Sequence, residues 1–256
     1  MPRLAANLSM MFTELPFLER FGAAADCGFK AVEFLFPYEE SVEAVAAARK
    51  SAGVEIALFN LPAGDFAAGE RGMAALVGRE QDFADSLETA LPYASALGAK
   101  RLHVMAGLAP AAGRKRYIEN LRKAADFFAP HGIALTIEPI NQRDMPGYHL
   151  SYQDDAISVM DEVGRSNLWL QMDFYHCQIM EGDLQKRFEA NLANIGHIQI
   201  AGVPDRHEPD SGEVAYDRLL PKLDSLGYAG WVGCEYRPRA GTREGLAWAA
   251  PYGIAL

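Results

Sequence analysis

Short β-rich runs alternate with helical patterns from one end of the chain to the other, and that rhythm leaves few folds open. The candidate strands are 3–8, 31–36, 54–60, 101–106, 133–139, 168–173, 197–201 and 231–235. Between them lie helical patterns at 17–27, 41–52, 80–97, 117–129, 153–163, 184–194 and 216–226. Strict β-then-α order implies parallel strands joined by right-handed crossovers. Eight such units close a barrel, whereas an open doubly wound sheet usually uses fewer. No GxGxxG follows the first strand, so a dinucleotide fold loses its main signature. Gly53, Gly98, Gly132 and Gly164 each fall just after a helical pattern, where a left-handed residue ends a helix. The expected fold is an α/β (β/α)8 TIM barrel.

Length agrees: 256 residues match the roughly 250 of a complete barrel. No low-complexity linker or composition break divides the chain, so one domain is expected over 1–256. The apolar tail, 245–256, is read as a cover for the barrel or for a neighbouring copy in a homo-oligomer. The formal charge of −10 repels phosphate backbones and argues against a nucleic-acid partner. The three cysteines, Cys27, Cys177 and Cys234, form no CxxC pair and no closed disulfide framework, which suits a reducing cytoplasm. Neither a signal peptide nor an apolar run of membrane-spanning length is evident.

Barrel enzymes carry their chemistry at the C-terminal ends of the strands. Glu138 ends the fifth candidate strand, Asp173 the sixth and Glu235 the eighth, while Gln199 lies near the end of the seventh. Alone, an acid at a strand end most often caps a loop or helix. Four polar residues on four consecutive strands are different. Three carboxylates sharing one desolvated mouth raise each other's pKa unless a cation compensates. A divalent metal removes the conflict, and oxygen ligands favour Mg²⁺ or Mn²⁺ over Zn²⁺.

Other candidates are weaker. His176, three residues after Asp173, is either a solvated loop histidine or a substrate contact. Arg206 follows the seventh strand, and a carboxylate substrate needs such a fork. Asp144 and Arg143 lie in the loop after Glu138, as supports for the site or as a turn cap. His103 sits in mid-strand and reads as a satisfied core histidine. Glu33 is expected behind the metal ligands, and Tyr38, Trp231 and Trp248 in packing.

Several long runs carry a family resemblance. Glu-Pro-Ile-Asn at 138–141, Arg-Asp-Met-Pro-Gly-Tyr at 143–148 and Gln-Met-Asp-Phe-Tyr-His-Cys-Gln at 171–178 are three of them. His-Ile-Gln-Ile-Ala-Gly-Val-Pro at 197–204, Arg-His-Glu-Pro at 206–209, Gly-Glu at 212–213 and Gly-Trp-Val-Gly-Cys-Glu-Tyr at 230–236 are the others, with Asn-Leu-Ser-Met-Met-Phe-Thr-Glu at 7–14. Together the chain resembles the hydroxypyruvate isomerase family, within the xylose-isomerase-like barrels. The resemblance implies metal ligation by Glu138, Asp173, Gln199 and Glu235, with Glu138 and Glu235 as the acid/base pair. It implies substrate contacts from His176 and Arg206. The related ketose epimerases have His where this chain has Gln199, and a second Glu where it has Asp144; these departures suit a shorter, acidic substrate.

The implied reaction converts hydroxypyruvate to tartronate semialdehyde by proton transfer through an enediolate, with Arg206 as the candidate for the substrate carboxylate. Rivals are a 2-oxo-tetronate isomerase or ketose 3-epimerase, a non-catalytic metal or sugar-acid binder, and a metal-dependent DNA-repair endonuclease. The last would need more histidines than the six present, and a basic groove.

Overall fold

The computed structural model describes residues 1–254. Eight parallel strands close in sequence order into a barrel: β1 (Arg3–Asn7), β2 (Ala31–Phe34), β3 (Glu55–Asn60), β4 (Arg101–His103), β5 (Ala134–Ile137), β6 (Leu168–Asp173), β7 (Ile195–Ile200) and β8 (Trp231–Cys234). The helices are α1 (Phe17–Asp26), α2 (Val42–Ala52), α3 (Glu80–Leu97), α4 (Arg114–Phe128), α5 (Gln153–Val163), α6 (Phe174–Met180), α7 (Leu184–Asn191) and α8 (Tyr216–Ser225). The expected barrel is therefore the observed one.

Strand alternation sorts side chains to two sides of the barrel wall. On β7, Ile198 and Ile200 join the apolar layer beneath the helices, while His197 and Gln199 bond to Glu33 inside the barrel. The lower interior is small and apolar: Ala5, Ala31 and Ala57 pack with Trp231. The Arg3 guanidinium lies 3.7 Å from the centre of that tryptophan ring. Two residues further along β1 and β2, the interior turns polar at Asn7 and Glu33, whose backbones pair in register. The barrel is thus plugged below and hydrogen-bonded in the middle, which leaves its C-terminal mouth for chemistry.

Two differences from the sequence reading concern the mouth. Several strands stop early: β2 ends at Phe34, β4 at His103 and β5 at Ile137. Their last residues leave the ladder to shape the site loops, and Glu138 and Glu235 lie one residue beyond β5 and β8. The β6–β7 connection holds two helices instead of one. The first, α6, begins directly at Asp173, whose carboxylate caps it by accepting from the Tyr175 amide at 2.7 Å.

The described part of the tail, with 3-10 helix over Arg243–Tyr252, packs on its own chain through Leu246, Ala249 and Ile254. The last two residues of the 245–256 segment lie outside the described residues. Among the described residues, no helix is long and apolar enough to cross a membrane.

Candidate active site

Glu138, Asp173, Gln199 and Glu235 are all buried, and Asp173 and Gln199 are register partners across β6 and β7. Glu138, Gln199, Glu235, His176, Arg206 and Asp144 line one cavity of about 780 Å³ at the barrel mouth. Asp173 is not among the lining residues; it is fully buried beside two of them, with Oδ2 3.5 Å from His176 Nε2 and 3.4 Å from Arg206 Nη2.

Gln199 is held from behind. Its amide nitrogen donates to Glu33 Oε1 at 2.8 Å, and its oxygen accepts from Gln171 Nε2 at 2.6 Å. Gln171 in turn accepts from the Thr136 hydroxyl at 2.8 Å. Glu33 also accepts from Asn7 Nδ2, and its Oε2 lies 2.6 Å from His197 Nε2. A buried polar layer of this kind is stable only if its members are bonded. Glu33 reaches it across a position with no side chain: a Cβ on Gly233 would stand 2.2 Å from Glu33 Oε2. Glu33, expected behind the metal ligands, itself lines the cavity beside Asn7 and Gln199.

His176 is no solvated loop histidine. It is buried on α6, because the capping carboxylate of Asp173 starts a helix where a loop was expected. Its Nδ1 lies 2.6 Å from Asn141 Nδ2, an amide donor, so Nδ1 accepts and the proton of the neutral ring sits on Nε2. Nε2 points at Asp173 and lies 3.9 Å from Glu138 Oε1. Burial, then Arg206, holds the ring well below the ordinary imidazole pKa.

His103 also departs from expectation. It is buried but sits at the end of β4, on the cavity wall. Its Nδ1 is 3.7 Å from Glu138 Oε2, and its Nε2 has no partner among the described residues. Burial pushes its pKa down to about 3. The early end of β4, which sets His103 on the cavity wall, carries no local signal in the sequence.

Burial raises the pKa of all three carboxyl groups. Asp173 rises to about 6 and Glu235 to about 8, with Arg206 opposing each rise. Glu138 is pushed well above the ordinary range by burial, then by Glu235 and Asp173. Among the described residues, its Oε1 has no hydrogen-bond partner. Glu138, Asp173 and His176 form a group that can hold a metal ion, their ligand atoms lying within 4.8 Å of one another. An orphaned carboxylate oxygen, two further buried acids and an oriented amide fit a divalent cation.

Arg206 occupies an unusual place, with a left-handed backbone (φ 59°) in the loop after β7. Its Nη2 donates to Glu235 Oε2 at 3.0 Å, and its guanidinium lies over the Tyr175 ring at 4.8 Å. Tyr175 donates to Asp144 at 2.7 Å, so Asp144 braces this arginine from outside. Arg143 joins the same brace, donating to the Tyr175 hydroxyl and the Pro204 carbonyl. Tyr38, Trp231 and Trp248 pack against neighbouring rings or the core, as expected.

Comparison with known proteins agrees with this architecture. Residues 21–252 match the family model described as xylose isomerase-like TIM barrel. The chain belongs to that family. It is 57% identical to the 2-oxo-tetronate isomerase of Cupriavidus necator, over 98% of this chain and 99% of that protein. It is 47% identical to the hydroxypyruvate isomerase of Escherichia coli K12, over 98% and 100% respectively. A Brucella melitensis protein crystallised as an AP endonuclease, family 2, superposes with a TM-score of 0.97 at 52% identity, covering 99% of this chain and 100% of that one.

Proposed function

We propose that this protein is an isomerase of short 2-oxo hydroxy acids, interconverting hydroxypyruvate and tartronate semialdehyde by proton transfer. The observation that carries this reading is the pair of buried glutamates, Glu138 and Glu235, reaching one cavity from β5 and β8. The C3 hydrogen of hydroxypyruvate is acidic because it adjoins the C2 ketone. One glutamate removes it, and the resulting enediol is reprotonated at C2. The hydroxyl proton passes from O3 to O2 through a carboxylate. Carboxylates with raised pKa are suited to both taking and returning a proton near neutrality. His176, neutral and protonated at Nε2, and Arg206 can each donate to a substrate oxygen.

Glu138, Asp173, Gln199 and Glu235 would hold a divalent cation, Mg²⁺ or Mn²⁺, beside His176. When bound, it would supply Lewis acidity that stabilises negative charge on the substrate oxygens.

The C. necator relative's name favours a second substrate within the same chemistry, a 2-oxo-tetronate. The endonuclease name of the B. melitensis structure fits this chain less well. A chain of net charge −10, with acids at the centre of its site, is poorly suited to a phosphate backbone. A product assay on hydroxypyruvate and on 2-oxo-tetronates, with and without chelator, tests the reading. Isomerisation that chelator abolishes and Mn²⁺ restores is expected. No turnover of either acid in the metal-loaded protein would defeat it.

A further inference from the structure

A substrate acid brings a carboxylate that the metal-binding end of the cavity does not serve, because that end is itself built from carboxylates. Three arginines line the cavity: Arg71, Arg206 and Arg237. Arg206 is already committed, with Nη2 on Glu235 and Asp173 and Nε donating to the Glu235 carbonyl at 3.3 Å. Arg237 is exposed at the rim.

Arg71 is different. It lies in the segment between β3 and α3, on the C-terminal side of the barrel, and is half-buried. It lines the same cavity as Glu138 and Glu235, and the next residue, Gly72, bridges to Ala106 after β4. One nitrogen, Nη1, donates to the carbonyls of Phe66 at 2.9 Å and Glu70 at 2.8 Å. The guanidinium plane is further fixed over the Phe66 ring, 4.1 Å from its centre, and Phe66 packs on Phe36. The backbone beside it is pinned as well. Gly72 donates to the Ala63 carbonyl at 3.0 Å, and a Cβ there would stand 2.3 Å from the Met105 carbonyl oxygen. The neighbouring Glu70 carboxylate is engaged elsewhere, by Arg79 and the Asp65 amide. Among the described residues Arg71 therefore has no acidic partner, and its Nε and Nη2 make no hydrogen bond to protein.

A guanidinium held rigid on one edge and open on the other is a preorganised fork for a carboxylate, since two parallel N–H donors match its two oxygens. We propose that Arg71 anchors the carboxylate of the 2-oxo acid substrate. The acid then lies with its carboxylate toward Arg71 and its ketone and hydroxyl toward Glu138 and Glu235. Arg206 keeps its bonds to Glu235 and Asp173, with Nη1 left for a reacting oxygen. The inference rests on the isomerase reading for its ligand class, but on separate residues for its site.

Arg71→Met and Arg71→Lys in the Mn²⁺-loaded protein test it. The probes are pyruvate, which keeps carboxylate and ketone but has no C3 hydroxyl to isomerise, and hydroxypyruvate itself. Pyruvate binding by calorimetry and kcat/KM for hydroxypyruvate should each fall about 10- to 100-fold in Arg71→Met, the usual worth of a charged hydrogen-bonded contact. Arg71→Lys should recover only part of the loss, because an ammonium offers no fork. Mn²⁺ affinity, read by titration, should be unaltered in both, which separates a lost anchor from a damaged barrel. Wild-type protein that turns over hydroxypyruvate, with either variant matching it on both probes, would overturn the assignment to Arg71 alone. Wild-type protein that neither binds pyruvate nor isomerises hydroxypyruvate would overturn the isomerase reading and the anchor together.

Discussion

Gly233 shows how one missing side chain organises the site. It faces the barrel interior between Trp231 below and Glu235 above, and the Glu33 carboxylate fills the space a Cβ would take. Glu33 orients Gln199 and sits against His197, so the position acts on a proposed ligand through two intervening contacts. Gly233→Ala forces the carboxylate aside. Overpacking of a filled interior typically costs about 1–3 kcal/mol. The expected result is a denaturation midpoint lowered to match, together with weaker Mn²⁺ binding as Gln199 loses its orientation. Unchanged metal affinity in a destabilised variant would show that Glu33 supports the fold without tuning the site.

At the scale of elements, the strands were legible because burial on both sides of a barrel wall leaves compact apolar runs, and their order alone specifies parallel closure. Glu138, Asp173, Gln199 and Glu235 stood out for the same reason: each is a polar residue attached to such a run. The connection after β6 was not legible in the same way. In the sequence Asp173 has the look of a strand end and a ligand, yet it also caps α6, a helix of seven residues. So short a helix shows no clear apolar period, and an aspartate that ends a strand gives no separate sign of being an N-cap. His176 was misplaced with it, since a histidine on a capped helix points into the barrel mouth where a loop histidine would be solvated. His103 was missed for a tertiary reason: only the contact with Asn60 and Glu138 distinguishes it from an ordinary core position. The place of Glu33 near a strand end is visible in the sequence, but its reach to Gln199 depends on Gly233, six strands later in the chain.

For the whole molecule, the consequence of gathering three acids in one buried mouth is a stability that depends on pH and on metal. Asp173 rises from 3.8 to about 6 and Glu235 from 4.5 to about 8, both chiefly through burial. Glu138 rises well above 4.5 for the same reason. Between the unfolded and folded values the native state binds more protons than the unfolded chain, so metal-free stability is greatest below about pH 4 as far as these groups decide it, and falls as pH rises toward 8. A bound divalent cation reverses the preference by favouring the ionised acids, and releases protons as it binds. Metal-stripped protein should therefore melt at a lower temperature at pH 8 than at pH 5.5, and Mn²⁺ should raise the midpoint more at pH 8; the opposite order would contradict a shared metal site. The central claim is that the same acids move a proton at carbon. Its most direct measurement is the fate of the C3 hydrogen when metal-loaded protein acts on hydroxypyruvate in D₂O. Tartronate semialdehyde carrying deuterium at C2 is predicted, in part if the carboxylate returns its proton before exchange, with turnover lost in Glu138→Gln and Glu235→Gln at measured metal occupancy. Product formed with no deuterium at carbon, and activity surviving in either glutamine variant, would contradict it.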